Sequence, residues 1–551
     1  RQWWMRSGVA GFADDAADHF YLPEEYTDPF GNKTTLVYDK DYDLFIQFST
    51  DALGNTSGVA NDPATDEPRF DYRVLAPIEM VDPNGNHTEV YFDILGMVVA
   101  TAVKGKGDGT EGDDFNDFDD NLANPSAAEV QMFCTASDMN VEQAGKWLGR
   151  ATARFVYHFG EDRDADGNFI DWKGHPPGAC GIVREIHVHA TGGGASPLQV
   201  SLECSDGSGN VLMKKVQAEP ERGQTGLRWI INGLTVLNNK GKPVKQYEPS
   251  FSKQGFGCEP PPAEGVTPIL YYDAAGRVIR TEMPDGTFSR VEFSPWHVKT
   301  FDANDTVLES RWYQDRGAPD PQAPLASGAS PDTRAAWLAA QHANTPSETH
   351  LDSLGREVIA IAHNRTPDVG GNWQNDYYTT FTKLDAEGKP LWIRDARGNL
   401  VMQYITPTRA NNATGEDMPG NAVPCYDIAG NLLFQHSMDA GDRWMLMDAA
   451  GKPMLAWDEY KPKDHETVVE KRLYATNYDQ LHRPTAQWLT IDTKPRVMFE
   501  RYEYQDAVLD DTNNLNGQLV KHYDSSGLLE TVRRDFKGNV EKVQRTLNNK
   551  P

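Results

Sequence analysis

The chain has 551 residues, 53 Lys+Arg against 81 Asp+Glu for a net charge of −28, 39% hydrophobic residues and 10% aromatics. This is enough apolar and aromatic material for a large core, so disorder is excluded. An acidic field of this size works against an extended phosphate-binding surface, so nucleic acid is excluded as a partner. No run approaches the ~20 apolar residues that cross a bilayer as a helix, so this segment is not expected to insert into a membrane. The chain opens at Arg1 with no signal peptide and reads as an internal piece of a longer protein.

Punctuation repeats along the chain. Asp-x-x-Gly, usually followed by Asn, Arg or Lys, first appears at Asp28–Gly31, Asp51–Gly54, Asp82–Gly85 and Asp93–Gly96. It returns at Asp273–Gly276, Asp352–Gly355, Asp385–Gly388, Asp395–Gly398, Asp427–Gly430, Asp448–Gly451, Asp524–Gly527 and Asp535–Gly538. Each unit has the chemistry of a tight turn, the carboxylate accepting backbone N–H groups while Gly takes the positive φ. A tyrosine precedes the Asp at Tyr38, Tyr272, Tyr426, Tyr478 and Tyr523. Between turns, residues such as Leu432, Phe434, His436 and Met438 alternate with Leu433, Gln435 and Ser437, the period of a strand. Aspartates 10 or 11 residues apart (385 to 395, 82 to 93) leave strands of about 6 residues once a turn of about 4 is removed. The expectation is an all-β train of antiparallel hairpins in one continuous sheet, long enough that accumulated twist must close it into a barrel, propeller or wound shell.

Two segments break the pattern, dividing the chain into strands over 1–104, an insertion over 105–150, strands over 151–316, an insertion over 317–346 and strands over 347–551. The first insertion opens with the acidic, glycine-rich stretch Gly105–Asp120. It continues to Ser126 and Glu129, whose spacing is that of a capping box and predicts a short helix. In the second, a helix is expected over Asp332–Ala343.

Candidate chemistry is sparse. Asp162, Asp164, Asp166 and Asn168 alternate as in the start of a calcium loop, with Asp171 as an added oxygen ligand. Lys173 stands where the bidentate Glu of an EF-hand belongs, which favours a solvated acidic turn over a Ca²⁺ site. His187 and His189 would share one face of a strand, a pairing used by zinc but without a third ligand. Cys134, Cys180, Cys204, Cys258 and Cys425 are odd in number and scattered, and read as buried free thiols. With no GxSxG, HExxH or phosphate loop, catalysis is not expected. The recurring aromatics suit packing, with glycan stacking as the rival use.

The Tyr-Asp repeats resemble the YD/RHS repeat family. Asp71-Tyr-Arg-Val-Leu75, Val81-Asp-Pro-Asn-Gly-Asn86, Phe92–Val103, Asn238–Pro249, Asn304-Asp-Thr-Val307, Ala440–Leu446 and Ala450-Gly-Lys-Pro453 are similar to strings of the B component of insecticidal Tc toxin complexes. The resemblance runs over essentially the whole chain. It implies a β-sheet wound into a hollow shell that encloses a toxic polypeptide, a C component or C-terminal RHS core that closes the shell, a channel-forming A component, and secretion or extracellular delivery. No cofactor is expected for this segment beyond the Ca²⁺ candidate at Asp162–Asn168. The family's self-cleaving Asp-Pro-x-Gly-Leu motif is approached at Asp28-Pro29 and Asp82-Pro83, but Asn32 and Asn86 stand where Leu is required. On this reading Asp28, Gly31, Asp82, Gly85, Asp273, Gly276, Asp427, Gly430, Asp448 and Gly451 hold architecture. The rivals are a surface glycan-binding or adhesion module and a glycosidase-like β-propeller.

Overall fold

A computed structural model describes residues 7–548 except 165–166, 173, 192–194, 225, 253–254, 260–266, 409–420, 461–468 and 510. The repeats form two large sheets rather than one. A 14-stranded sheet runs from Val9–Gly11 to Arg228–Asn232 and Ser250–Phe251, and a 20-stranded sheet from Thr235–Leu237 to Val540–Leu547. All their strand pairs are antiparallel and follow chain order, as hairpin connections dictate. The ladder breaks at Gly233, whose φ of 65° turns the chain between Asn232 and Thr235. Strands lengthen along the second sheet, reaching 12 residues at Trp373–Leu384, twice the expected length.

The turns follow their sequence chemistry. In the first, Asp28 Oδ1 accepts the N–H groups of Phe30 and Asn32, both at 2.8 Å, and Oδ2 accepts Asn32 Nδ2 at 2.8 Å. Gly31 takes φ 95°. The same bonds recur between Asp82 and Asn86 and between Asp427 and Asn431. At Asp273 the side-chain donor is Arg277 Nε, and at Asp448 the carboxylate accepts the N–H groups of Ala450 and Lys452. Each turn thus satisfies its own backbone and leaves the strands in register.

The tyrosines before the turns have a role that their recurrence alone does not disclose. In four of the five Tyr-Asp pairs the phenol donates to a proline carbonyl on an earlier hairpin: Tyr38 to Pro23, Tyr272 to Pro243, Tyr426 to Pro390 and Tyr478 to Pro453. The last three prolines each follow Gly-Lys at the end of a turn, a signal present in the sequence. Proline at the first residue of a strand loses no ladder bond, and its carbonyl is left for the tyrosine. Burial pushes the Tyr426 phenol up to about 12, so it remains a donor at any physiological pH.

The first insertion carries three helices, α1 Asp120–Ala123, α2 Ala127–Cys134 and α3 Val141–Leu148. The Ser126–Glu129 capping box starts α2 as expected. The helices cover one face of the 14-stranded sheet, where Phe133 and Trp147 pack with Val156, Ile182, Leu202, Trp229 and Phe256. Each such side chain contributes about 1.5–3 kcal/mol on burial. Arg154 ties α1 to the sheet: at 1% exposure it donates to the carbonyls of Val99 and Phe155 on strands and of Leu122 and Ala123 in α1. Burial pulls its guanidinium down to about 10, still charged at neutral pH. A short helix, α4 Arg311–Gln314, precedes the second insertion within a segment expected to be strands, and inside the insertion α5 spans Pro331–Ala340, ending three residues before the expected Ala343.

Two sequence expectations are corrected. Cys204 and Cys258 form a disulfide, whereas Cys134, Cys180 and Cys425 are buried free thiols. The bond joins a strand to the loop after Phe251, a juxtaposition made by folding that spacing does not signal. The loop is also held by buried Lys215, whose ammonium donates to the carbonyls of Gly255 and Gly257 at 2.7 and 2.6 Å. His187 and His189 do not share a strand face: the chain from Val188 to Thr191 is a 3-10 turn.

Candidate functional site

The structure brings the turns of the first sheet onto the loops of the second, forming a polar seam between segments more than 400 residues apart. At its first station His482 Nε2 lies 2.8 Å from Asp28 Oδ2, and the His482 ring packs on Phe30 with centroids 5.4 Å apart. His482 occupies, at φ 57°, the turn position that Gly holds elsewhere. A Gly there would supply the turn and lose the contact. Asp28 is desolvated, which raises its pKa, yet the bonds from Asn32 and His482 outweigh burial and hold it at about 2.

At the second station Asn55 serves both sheets. Its Nδ2 donates to Asp51 of its own turn and to Asp506 across the seam, both at 2.8 Å, and its Oδ1 accepts Ala507 N–H at 2.9 Å. Arg483 ties the two stations, donating to Asp479 Oδ2 and to Asp506 Oδ2, each at 2.7 Å. At the third station Asn84 Oδ1 accepts Asn516 N–H at 2.8 Å, and Asn516 Nδ2 donates to the Pro83 carbonyl at 3.0 Å. Lys106 closes it, donating to the Asn84 carbonyl and, at 2.8 Å, to Asn514 Oδ1. Beyond it His187 packs edge-on against Phe536, centroids 5.1 Å apart.

Successive turns along one sheet therefore meet successive loops along the other in the same order. Such an arrangement joins rims by hydrogen bonds satisfied within the protein.

The acidic stretch of the first insertion is structural at its buried end. Asp113 Oδ2 accepts Thr152 Oγ1 and lies 2.6 Å from His187 Nδ1, while Asp113 Oδ1 accepts Val188 N–H at 2.7 Å. Asp114 is gripped by Arg150 at 2.7 and 2.5 Å and lies 3.2 Å from His189 Nε2. Despite burial, the Arg150 bonds hold Asp114 at about 2. Nearby, Glu79 and Glu89 share Arg69 and Lys104, and His87 Nδ1 lies 2.9 Å from Glu79.

The described calcium-loop candidates each have partners within the protein. Asp164 and Asn168 form another repeat turn, with Asn168 N–H and Nδ2 on the carboxylate at 2.8 and 3.1 Å. Asp162 is taken by Gly174 N–H and His175 Nδ1, each at 2.6 Å. Asp171 pairs with Asp162 across a two-stranded ribbon, and Asp166 and Lys173 lie outside the described residues. Among the described residues no group of three or more His, Cys, Asp or Glu is placed to hold a metal ion, and no helix is long and apolar enough to cross a membrane.

Of the repeat residues named from sequence, Asp28 lies in the seam and the Asp82–Asn86 turn presents Pro83 and Asn84 to it. The turns at Asp273, Asp427 and Asp448 lie outside the seam described above. Sequence reasoning missed Asn55, Arg483, Asp506, Asn514 and Asn516. Only the His482 that replaces the turn glycine was a visible irregularity.

No protein-family model matches the chain. Over 209 residues, 37% of the chain, it is 26% identical to Toxin subunit YenC2 of Yersinia entomophaga, spanning 20% of that protein. In three dimensions 97% of the chain superposes on TcdB2-TccC3 with a TM-score of 0.66 at 20% identity, covering 23% of that chain. The same share superposes on a Photorhabdus luminescens Tc holotoxin pore with a TM-score of 0.70 at 18% identity, covering 25% of it. The chain thus resembles Tc/RHS-type shell proteins and has the fold of a section of them. It spans about a fifth to a quarter of the length of the proteins it matches.

Proposed function

We propose that this chain is an encapsulation module: a section of a Tc/RHS-type β-shell that isolates a cytotoxic polypeptide until delivery. The seam is the observation that carries this reading. It costs many buried polar groups and joins distant rims, which a flat adhesive surface has no need of, but a wall that must keep a polypeptide from escaping does. The partners on this reading are a C-component-like half that completes the wall, the enclosed effector and a channel-forming A component. The chain itself catalyses nothing. Its Cys204–Cys258 disulfide suits an oxidising, extracellular setting.

The test is co-expression of the chain with a C-component-like partner carrying its effector, followed by protease treatment of the purified complex. The effector should survive intact while the same effector free in solution is digested. Digestion at equal rates in the complex and alone would refute encapsulation.

A further inference from the structure

The second sheet carries a cleft of about 560 Å³ that the shell reading does not use. In it Trp444 and Trp457 are direct cross-strand partners, so both indoles project from one face, where they are 40% and 37% exposed. Buried Phe434 supports Trp444 from the neighbouring strand, ring centroids 4.3 Å apart. Four carboxylates line the cleft, Asp442, Asp458, Glu459 and Asp492, against two cations, Lys471 and Arg472, for a net charge of −2. Asp458 follows Trp457 and Arg472 precedes Leu473, and the two are direct cross-strand partners, so they belong to the opposite face and offset each other. Period-two alternation puts Asp442, Glu459 and Lys471 on the tryptophan face, and Asp492 Oδ1 accepts Lys471 N–H at 2.9 Å. Three carboxylates therefore stand against one ammonium on that side. Asp442 lies 2.7 Å from His436 Nδ1, whereas Glu459 has no hydrogen bond or ion pair among the described residues.

Elsewhere in this chain such a surface holds an arginine. The Arg280 guanidinium lies 3.7 Å from the Phe288 ring centroid and donates to Glu282 at 2.9 Å. Arg472 lies 3.8 Å over Tyr460 and donates to Glu470 at 3.0 Å, and Arg483 lies 4.1 Å over Tyr504 and donates to Asp506 at 2.7 Å. The planar cation stacks on the ring while its in-plane N–H groups reach a carboxylate. The cleft has the carboxylates and two indoles, the best rings for this purpose. Yet among the described residues no Lys or Arg of the chain lies over Trp444 or Trp457. An anion would meet the excess of carboxylates, and an apolar side chain would desolvate them without replacing their hydrogen bonds. We infer that this cleft receives an arginine side chain from a second polypeptide, stacked on Trp444 and Trp457 with its N–H groups on Glu459 and Asp442. The inference goes beyond encapsulation and does not rest on it.

The test is calorimetric titration of the 551-residue chain, at low ionic strength, with a short capped Gly/Ser peptide bearing one arginine, and with the same peptide bearing lysine or citrulline in its place. Citrulline keeps the shape of arginine and removes its charge. The arginine peptide should bind, the lysine peptide more weakly, and the citrulline peptide most weakly. Trp457→Ala should weaken arginine-peptide binding about three- to fivefold. Glu459→Gln, which keeps both rings and tests the site even if the alanine variant fails to fold, should weaken it by about the same factor. Lys471→Met removes the opposing cation and should tighten binding about twofold. Trp296→Ala, which removes an exposed indole elsewhere, should leave it unchanged. No arginine-peptide binding at about 10 mM would overturn the inference. So would equal binding of the lysine or citrulline peptide, binding that Trp457→Ala and Glu459→Gln leave intact, or weaker binding in Lys471→Met.

Discussion

Replacing Asn55 by Ala separates the seam from the turn that bears it. The substitution keeps the Asn55 backbone N–H on Asp51 and removes three side-chain bonds, one to Asp51, one to Asp506 and one from Ala507 N–H. Asn55 is 7% exposed, so water replaces these bonds poorly, and the Ala507 N–H is left without its acceptor. With ~1 kcal/mol for each ordinary bond and more for one to a carboxylate, the local loss comes to about 3 kcal/mol. That corresponds to on the order of 100-fold faster amide exchange wherever protection depends on the seam staying closed. The amides to follow are Val508, bonded to Asn516 Oδ1, and Asn516, bonded to Asn84 Oδ1, neither of which touches Asn55 directly. The control is Asn210→Ala, in a turn where the exposed side chain bonds, among the described residues, Asp206 alone. It should cost about 1 kcal/mol and leave both amides protected. Equal losses from the two variants, with exchange at Val508 and Asn516 unchanged, would refute the claim that the seam holds the two sheets together.

Arg154→Met should destabilise the first insertion by about 3 kcal/mol, because four carbonyls lose their buried donor, and limited proteolysis should then cut within residues 105–150. Paired Cys204→Ala and Cys258→Ala substitutions should cost about 4 kcal/mol by loop-closure entropy for a 54-residue separation, read as a lowered thermal midpoint that reducing agent no longer affects. Glu79 is desolvated, yet His87 and Lys104 lower it from 4.5 to about 2. A depressed carboxylate stabilises the fold above its unfolded pKa and loses that contribution as pH falls through 4.5 towards 2, here on the order of 3 kcal/mol. Denaturant melts of Glu79→Gln should therefore show a shallower loss of stability across that window than the unsubstituted chain, and identical slopes would count against the assignment.

Much of this fold was legible because its chemistry is local. An Asp that bonds residues two and four positions on, a Gly with positive φ and an alternating strand fit within about a dozen residues, so the turns at Asp28, Asp82, Asp273, Asp427 and Asp448 follow from sequence. So does the Ser126–Glu129 cap of α2. Locality also explains Asp164–Asn168, where one short string fits both a calcium loop and a repeat turn, and where Asn168 N–H and Nδ2 donate to the Asp164 carboxylate.

Tertiary structure alone decided what depends on how far the sheets twist. Which rim meets which is set by rotation accumulated over many strands, so nothing within reach of Asn55 announces Asp506, and nothing near Cys204 announces Cys258. The same holds for Arg154, whose bonds to α1 depend on which face the helices cover, and for His187 and His189, which lie against Asp113 and Asp114. The cross-strand meeting of Trp444 and Trp457 belongs to this class too: each was visible as an aromatic on a strand, but only register made them a surface.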